Sequence, residues 1–344
     1  MSKNIVICLD GTWNDKDEDG GSPTNVVLLF AMCLNDGVSQ VAYYDKGVGT
    51  EGWYDRKLGG VHGWGLSKNI REAYGYLSKE YDTGDRVYLF GFSRGAYTAR
   101  SLAGLIFRCG LPHKDHEQSD IDNIFRLYRD RNDQRMGQAK EGNLTCPIEM
   151  VGVWDTVGSL GIPVSILKDV SEEVFAFHDT RMSPEIQYAC HAVAIDERRE
   201  SFEPSLWNEM PATKDRVKQV WFAGVHSDVG GGYPERHHSD IALRWMVKHA
   251  HERGLKLTNT SQQHFAIDFG RDIHKSVYEV MGVEVGTEDR DASTTDGPMP
   301  VVHWSVREKM TRNTGYRPVA LAKHITDWST LAPYEVDEFD LNNA

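Results

Sequence analysis

One stretch limits the folds open to this chain more than any other. Residues 87–90 form an unbroken apolar run. They lead without a gap into Gly91-Phe92-Ser93-Arg94-Gly95, and then into Ala96-Tyr97-Thr98-Ala99, whose small residues suit a helix packed closely on its neighbours. The pattern reads as strand, sharp turn and helix, with a serine at the bend. A serine nucleophile standing clear of a sheet needs this arrangement, because the bend is strained and side chains at 91 and 95 would strike the adjoining helix or strand. The competing reading is an ordinary helix N-cap, a role serine often fills. A cap requires neither the flanking glycines nor a strand running straight into it.

Further apolar runs alternate with helical patterns. Residues 5–9, 41–44, 148–154, 188–194 and 217–225 read as strands buried on both faces. Helices are expected from Pro23 to about residue 34, over 67–79 with Ile70, Ala73, Tyr74 and Leu77 on one face, near 121–129, and over 241–253 behind a Ser239 cap. This alternation predicts an α/β fold: a mostly parallel sheet with helices on both faces. The core is expected over residues 1–254, with a charged excursion at about 113–145, and residues 255–344 as an extension packed on it. The glycine-rich residues 47–65 read either as a long loop near a site or as a surface loop with ordinary turns.

In such sheets reactive groups gather beyond the carboxyl ends of the strands. Asp10, Ser93, Asp155 and His226 all stand at such ends. A serine is a poor nucleophile at neutral pH without a base, and the base needs a partner to fix its tautomer. Ser93, Asp155 and His226 supply the three in the order Ser, Asp, His, the order of an α/β-hydrolase sheet. Ser93 is assigned as nucleophile, Asp155 as orienting carboxylate and His226 as base. His303 and His191 are the rival bases, and Asp228 is the rival acid. One oxyanion donor is expected from the N–H of Arg94. The second is expected from Gly11 and Thr12, if the first strand lies beside the Ser93 strand. Asp10 either orders that loop or simply closes a strand-end turn.

Other signals are weaker. Gly47-Val48-Gly49-Thr50-Glu51-Gly52 opens no helix, which argues against a dinucleotide loop. His226, Asp228, His237 and His238 lack compact ligand spacing, so no metal is expected, and His237-His238 reads as a solvated approach to a helix. The acidic residues 15–19 read as a solvated loop. No cofactor is expected. Lys plus Arg is 38 against 51 Asp plus Glu, a net charge of −13, which argues against a nucleic-acid partner. The five scattered cysteines form no C-x-x-C pair and read as reduced core residues, consistent with synthesis in the cytoplasm. No apolar run is long enough for a transmembrane segment. Met1-Ser2-Lys3-Asn4 enters a strand directly, leaving no room for a signal peptide.

Four blocks carry a family resemblance: residues 3–14, Gly91-Phe92-Ser93-Arg94-Gly95-Ala96-Tyr97-Thr98-Ala99-Arg100, residues 151–159, and residues 221–233. With Asp196-Glu197-Arg198-Arg199, His303-Trp304-Ser305-Val306-Arg307 and Tyr316-Arg317-Pro318, the chain resembles the α/β-hydrolase family of type VI secretion phospholipase effectors. The resemblance implies a serine esterase or lipase acting on carboxylic esters, with phospholipid or other lipid esters as substrate and an acyl-enzyme on Ser93. It also implies delivery to a target cell without a signal peptide, a secretion-machine component as partner and an immunity protein. Two alternatives accompany it: a soluble esterase for small esters, and a catalytically silent binding module on the same fold.

Overall fold

Along the first strand the side chains alternate between two destinations, and that alternation builds the molecule. The computed structural model describes residues 2–11, 22–47, 61–130, 133–157, 182–208, 213, 215–258, 265, 267–276, 278–280, 283–292, 300–322 and 334–335. Its strands are β1 (Asn4–Leu9), β2 (Gln40–Asp45), β3 (Arg86–Phe92), β4 (Ile148–Trp154), β5 (Ile186–Ala194), β6 (Val217–Phe222), β7 (Tyr278–Val280), β8 (Val283–Val285), β9 (Val302–His303) and β10 (Tyr334–Glu335). Eight of them form one sheet in the order β10-β9-β6-β5-β4-β3-β1-β2. Every pairing in it is parallel. β7 and β8 pair separately and antiparallel.

The helices are α1 (Asn25–Met32), α2 (Val61–Glu80), α3 (Arg94–Cys109), α4 (Gln118–Arg129), α5 (Asp133–Gly142), α6 (His226–Gly230), α7 (Ser239–Glu252), α8 (Trp304–Arg312) and α9 (Val319–Ala322). Ile5, Ile7 and Leu9 of β1 join Val87 and Leu89 in a core under α2, α3 and α4, where Tyr74, Leu102 and Ile121 pack. Val6 and Cys8 point to the other face, with Tyr88, Phe90 and Trp154, under Leu29 of α1 and Trp245 of α7. Both faces of the sheet are therefore dry, as the near-continuous apolar strands require. All five cysteines are buried and unbridged.

The structure departs from the sequence reading in several places. Pro23 does not begin α1. Thr24 is its N-cap, with a side-chain oxygen that accepts the Val27 N–H at 3.3 Å. α2 starts at Val61, so the end of the glycine-rich stretch is helical, while residues 48–60 lie outside the described residues. Glycines weaken the helical signal there, but a helix once nucleated propagates through them. Ser239 is the first residue of α7, with His238 in the cap position. His238 is buried rather than solvated, and burial pushes its imidazole down to about 4. The residues beyond 254 do more than pack on the core: β9 and β10 extend the main sheet by two strands.

β1 lies between β2 and β3, while β4, β5 and β6 follow on the far side of β3. The winding direction therefore reverses between β1 and β3, and a crevice opens at their carboxyl ends. Leu9 pairs with Gly91 there, which sets Asp10 and Ser93 side by side at that crevice.

Candidate active site

Two residues stand out by backbone alone. Among the described residues, the only non-glycine positions with positive φ are Ser93, at 58°, and Asp155, at 37°. Left-handed backbone is costly for such residues and persists only where the surroundings enforce it. At Ser93 the enforcement is packing. A Cβ on Gly91 would strike the backbone of Gly95 and Ala96, and a Cβ on Gly95 would lie 2.6 Å from the Asp10 carbonyl oxygen. The chain passes through this bend only because both positions are glycine. Ser93 occupies the N-cap position of α3, but its hydroxyl makes no capping bond. Its N–H donates to the carbonyl oxygen of Trp154 at 3.1 Å, which places the bend against the residue preceding Asp155.

Asp155 is fully buried, and its N–H donates to Ala192 O at 2.7 Å. His226 Nδ1 lies 2.6 Å from Asp155 Oδ2. The imidazole sits between two aromatic rings, tilted on Phe92 at 4.5 Å and edge-on to Phe202 at 4.9 Å. Phe92 immediately precedes Ser93, so the same contact that packs His226 brings it to the bend. Asp155 also receives the Arg290 guanidinium, Nη1 at 2.7 Å from Oδ1 and Nη2 at 3.0 Å from Oδ2, and the Ala194 N–H at 2.9 Å. Burial alone would raise this carboxyl. The Arg290 charge and the hydrogen bond from His226 outweigh burial and hold it well below the usual carboxylate range.

The rivals fall away on geometry. Asp228 is engaged elsewhere. Its Oδ2 accepts the N–H groups of Val225 and His274, and its Oδ1 lies 2.6 Å from His274 Nδ1. It therefore caps α6, the turn that carries His226. His303 stands on β9, separated from β3 by β6, β5 and β4. At ~4.8 Å per strand that is about 19 Å. Its Nδ1 accepts the Ser305 N–H and caps α8. His191 lies inside β5, where its Nε2 accepts the Thr156 N–H at 3.1 Å. Burial, and then the Arg100 charge, push it down to about 3.

Around the oxyanion position the picture is mixed. β1 does lie beside β3. The Gly11 N–H, however, is committed to Asp10 Oδ1 at 2.7 Å, so the expectation of an open donor at Gly11 is corrected. Thr12 lies outside the described residues. Asp10 is more than a turn residue, since its Oδ2 accepts the hydroxyls of Thr24 at 2.7 Å and Tyr44 at 2.9 Å. It ties the loop after β1 to α1 and β2. Arg94, the first residue of α3, has no intrahelical acceptor for its N–H. Desolvation pushes its guanidinium down to about 10.

Sequence reasoning missed two contributors. Arg290 sits in the polar stretch after β8, where one arginine among Glu288, Asp289 and Asp291 gives no signal. Glu197 was visible only as part of a motif. Its buried carboxylate accepts the His226 N–H at 3.1 Å, and the hydroxyl of Ser276 and the guanidinium of Arg199, each at 2.9 Å. Arg199 holds it below the ordinary glutamate range against the opposing pull of burial. Among the described residues no cluster of side chains suits a metal ion, and no helix is long and apolar enough to cross a membrane.

Comparison with known proteins agrees with this architecture. The chain is 31% identical over 239 residues to the uncharacterized protein YEL023C of Saccharomyces cerevisiae, a match covering 61% of this chain and 33% of the yeast protein. It thus spans about a third of that relative's length. A crystal structure of an uncharacterized protein from Pseudomonas aeruginosa shares the fold at 20% identity and a TM-score of 0.50, over 78% of this chain and 49% of that one. A structure of the Tle1 effector bound to the VgrG spike of the type VI secretion system aligns at 20% identity and a TM-score of 0.38, over 68% of this chain and 51% of that one. The family model for the catalytic domain of Tle1-like type VI secretion phospholipase effectors matches residues 3–249, and the chain belongs to that family.

Proposed function

We propose that the protein is a serine hydrolase that cleaves carboxylic esters, phospholipid or other lipid esters above all, through an acyl-enzyme on Ser93. The observation that carries this reading is the 2.6 Å His226–Asp155 contact set beside a serine held at positive φ. With Nδ1–H donated to Asp155, His226 presents Nε2 as the base. Ser93 Oγ attacks the ester carbonyl and its proton passes to Nε2. The oxyanion is held by the Arg94 N–H, with Thr12 as the remaining donor from the loop after β1. Collapse expels the alcohol, which takes the proton back from His226. Water deprotonated by His226 then releases the acid and regenerates Ser93. Family membership supports a lipid substrate, delivery by a type VI machine and neutralisation by an immunity protein. The half-buried Arg94 cation beside the nucleophile suits the phosphate of a phospholipid.

The test sets wild type beside Ser93→Ala on mixed phospholipid vesicles and on short p-nitrophenyl esters. Fatty acid and lysophospholipid released only by wild type support the reading. Cleavage of the short ester alone restricts it to soluble esters. Equal rates for the two proteins, or labelling of neither by a fluorophosphonate probe, overturn it.

A further inference from the structure

We infer that Arg290 is a positioning residue of this site: it fixes the Asp155 carboxylate in the orientation and charge state that hold His226 in its working tautomer. The inference rests on the serine-hydrolase reading for its kinetic consequence, and on geometry for the rest. A carboxylate has about four acceptor positions. Here Oδ1 takes Arg290 Nη1 and the Ala194 N–H, while Oδ2 takes Arg290 Nη2 and His226 Nδ1. All four are filled, and the two arginine bonds form a parallel fork that fixes the carboxylate plane. Both side chains are almost wholly buried, 4% exposed for Arg290 and 0% for Asp155. In so dry a setting a carboxylate whose charge is unmatched would tend to take up a proton or turn toward any available donor. Either change removes the acceptor that keeps the proton on Nδ1 and leaves Nε2 free.

The arginine is itself anchored. Its Nη1 also donates to Ala194 O, and its Nη2 to Phe202 O. The segment that carries it is pinned to the Asp196-Glu197-Arg198-Arg199 motif. Arg198 Nε donates to Asp289 at 2.8 Å, the Glu288 N–H to Arg198 O at 2.8 Å, and the Glu200 N–H to Gly286 O at 2.9 Å. The same motif reaches the base from the other side. Asp196 accepts the Gly224 N–H and Glu197 the His226 N–H. One four-residue motif therefore braces both the partner of the acid and the loop of the base. Arg290 lies beyond the residues 3–249 matched by the family model, so this part of the site comes from the stretch that follows.

The experiment compares wild type, Arg290→Met, Arg290→Lys, Asp155→Asn and the double variant Asp155→Asn/Arg290→Met in two measurements. The first is the low-field proton NMR signal of the His226 Nδ1–H, identified by its loss in His226→Gln. It should be lost or moved upfield in Arg290→Met. The second is hydrolysis of a p-nitrophenyl ester. In Arg290→Met kcat should fall by roughly 10- to 1000-fold, less than complete loss of a triad acid, with KM nearly unchanged. Arg290→Lys, which keeps the charge but not the fork, should fall between. In the Asp155→Asn background, removing Arg290 should cost no further kcat, whereas a merely architectural arginine would cost the same in both backgrounds. The double variant leaves no unmatched buried charge, so it guards against misfolding of the single one. An unchanged imidazole signal in Arg290→Met, or additive losses in the double variant, overturns the inference. If wild type hydrolyses nothing, the enzymatic reading fails, and the NMR measurement alone still decides what Arg290 does.

Discussion

Ser93 owes its position to its neighbours more than to itself. Ser93→Ala should leave the fold intact and reduce kcat/KM by roughly 10³- to 10⁶-fold. Gly95→Ala should act the other way, through the fold. Its Cβ would meet the carbonyl oxygens of Leu9 and Asp10 at the end of β1, which cannot move without shifting a central strand, so a loss of about 3 kcal/mol is expected in urea denaturation. Arg94 joins two roles. Its N–H belongs to the backbone and survives any substitution but proline, whereas its guanidinium does not. Arg94→Gln should therefore raise KM for vesicles of an anionic phospholipid several-fold while sparing a neutral short ester. An equal loss on both substrates would remove the side chain from substrate recognition. The glycines and the serine could be read from sequence because a strained turn admits so few residue types. Arg290 could not, because an arginine in a polar loop resembles any solvated arginine until the chain folds it inward.

Among the elements, α1 and the loop after β1 form a unit that sequence patterns describe only loosely. Proline at an expected first turn drew the start of the helix to residue 23, but the capping oxygen of Thr24 decides it. That hydroxyl also donates to Asp10 Oδ2, so the helix cap and the crevice loop share one side chain. Thr24→Ala should cost about 1 kcal/mol from the lost cap. It should also lower turnover, since Asp10 loses a donor that orders the loop, while Thr24→Ser should restore both. Measuring thermal stability and kcat on the two variants checks the link; a stability loss with unchanged kcat would break it. Strands β1 to β6 were legible to within about three residues because mostly apolar runs buried on both faces mark them, whereas the short β7, β8 and β10 carry no such run and were not read. The ends of α1, α2 and α7 were not, since capping geometry and glycine tolerance are settled by neighbours distant in sequence.

Across the whole molecule, three buried groups set the response to acid. His191 and His238 are pushed down to about 3 and about 4, in each case by burial first, and burial pushes Asp196 up to about 6. Between pH 4 and 6 the unfolded chain protonates both histidines while the folded one does not. Over the same window the folded chain holds a proton on Asp196 that the unfolded chain releases. The net is one proton more on the unfolded chain, so stability should fall by about 1.4 kcal/mol per unit of acidification. Below about pH 4 the depressed carboxylates of Asp155 and Glu197 add to the loss, because their contribution is present above the unfolded carboxylate pKa and fades toward their lower folded values. His191→Gln should flatten the profile between pH 4 and 6, as read from urea midpoints at successive pH values; an unchanged slope would mean His191 titrates normally in the folded protein. The order of apolar runs and the strand–serine–helix bend were enough to specify a mostly parallel sheet and to single out Ser93, Asp155 and His226 as candidates at strand ends, because each depends on local sterics and on periodicity of burial. The pairing of His226 with Asp155 rather than Asp228, the placing of His303 four strands from β3 and the arrival of Arg290 needed the folded chain, because each turns on distances between side chains that lie 71 to 135 residues apart or on separate strands.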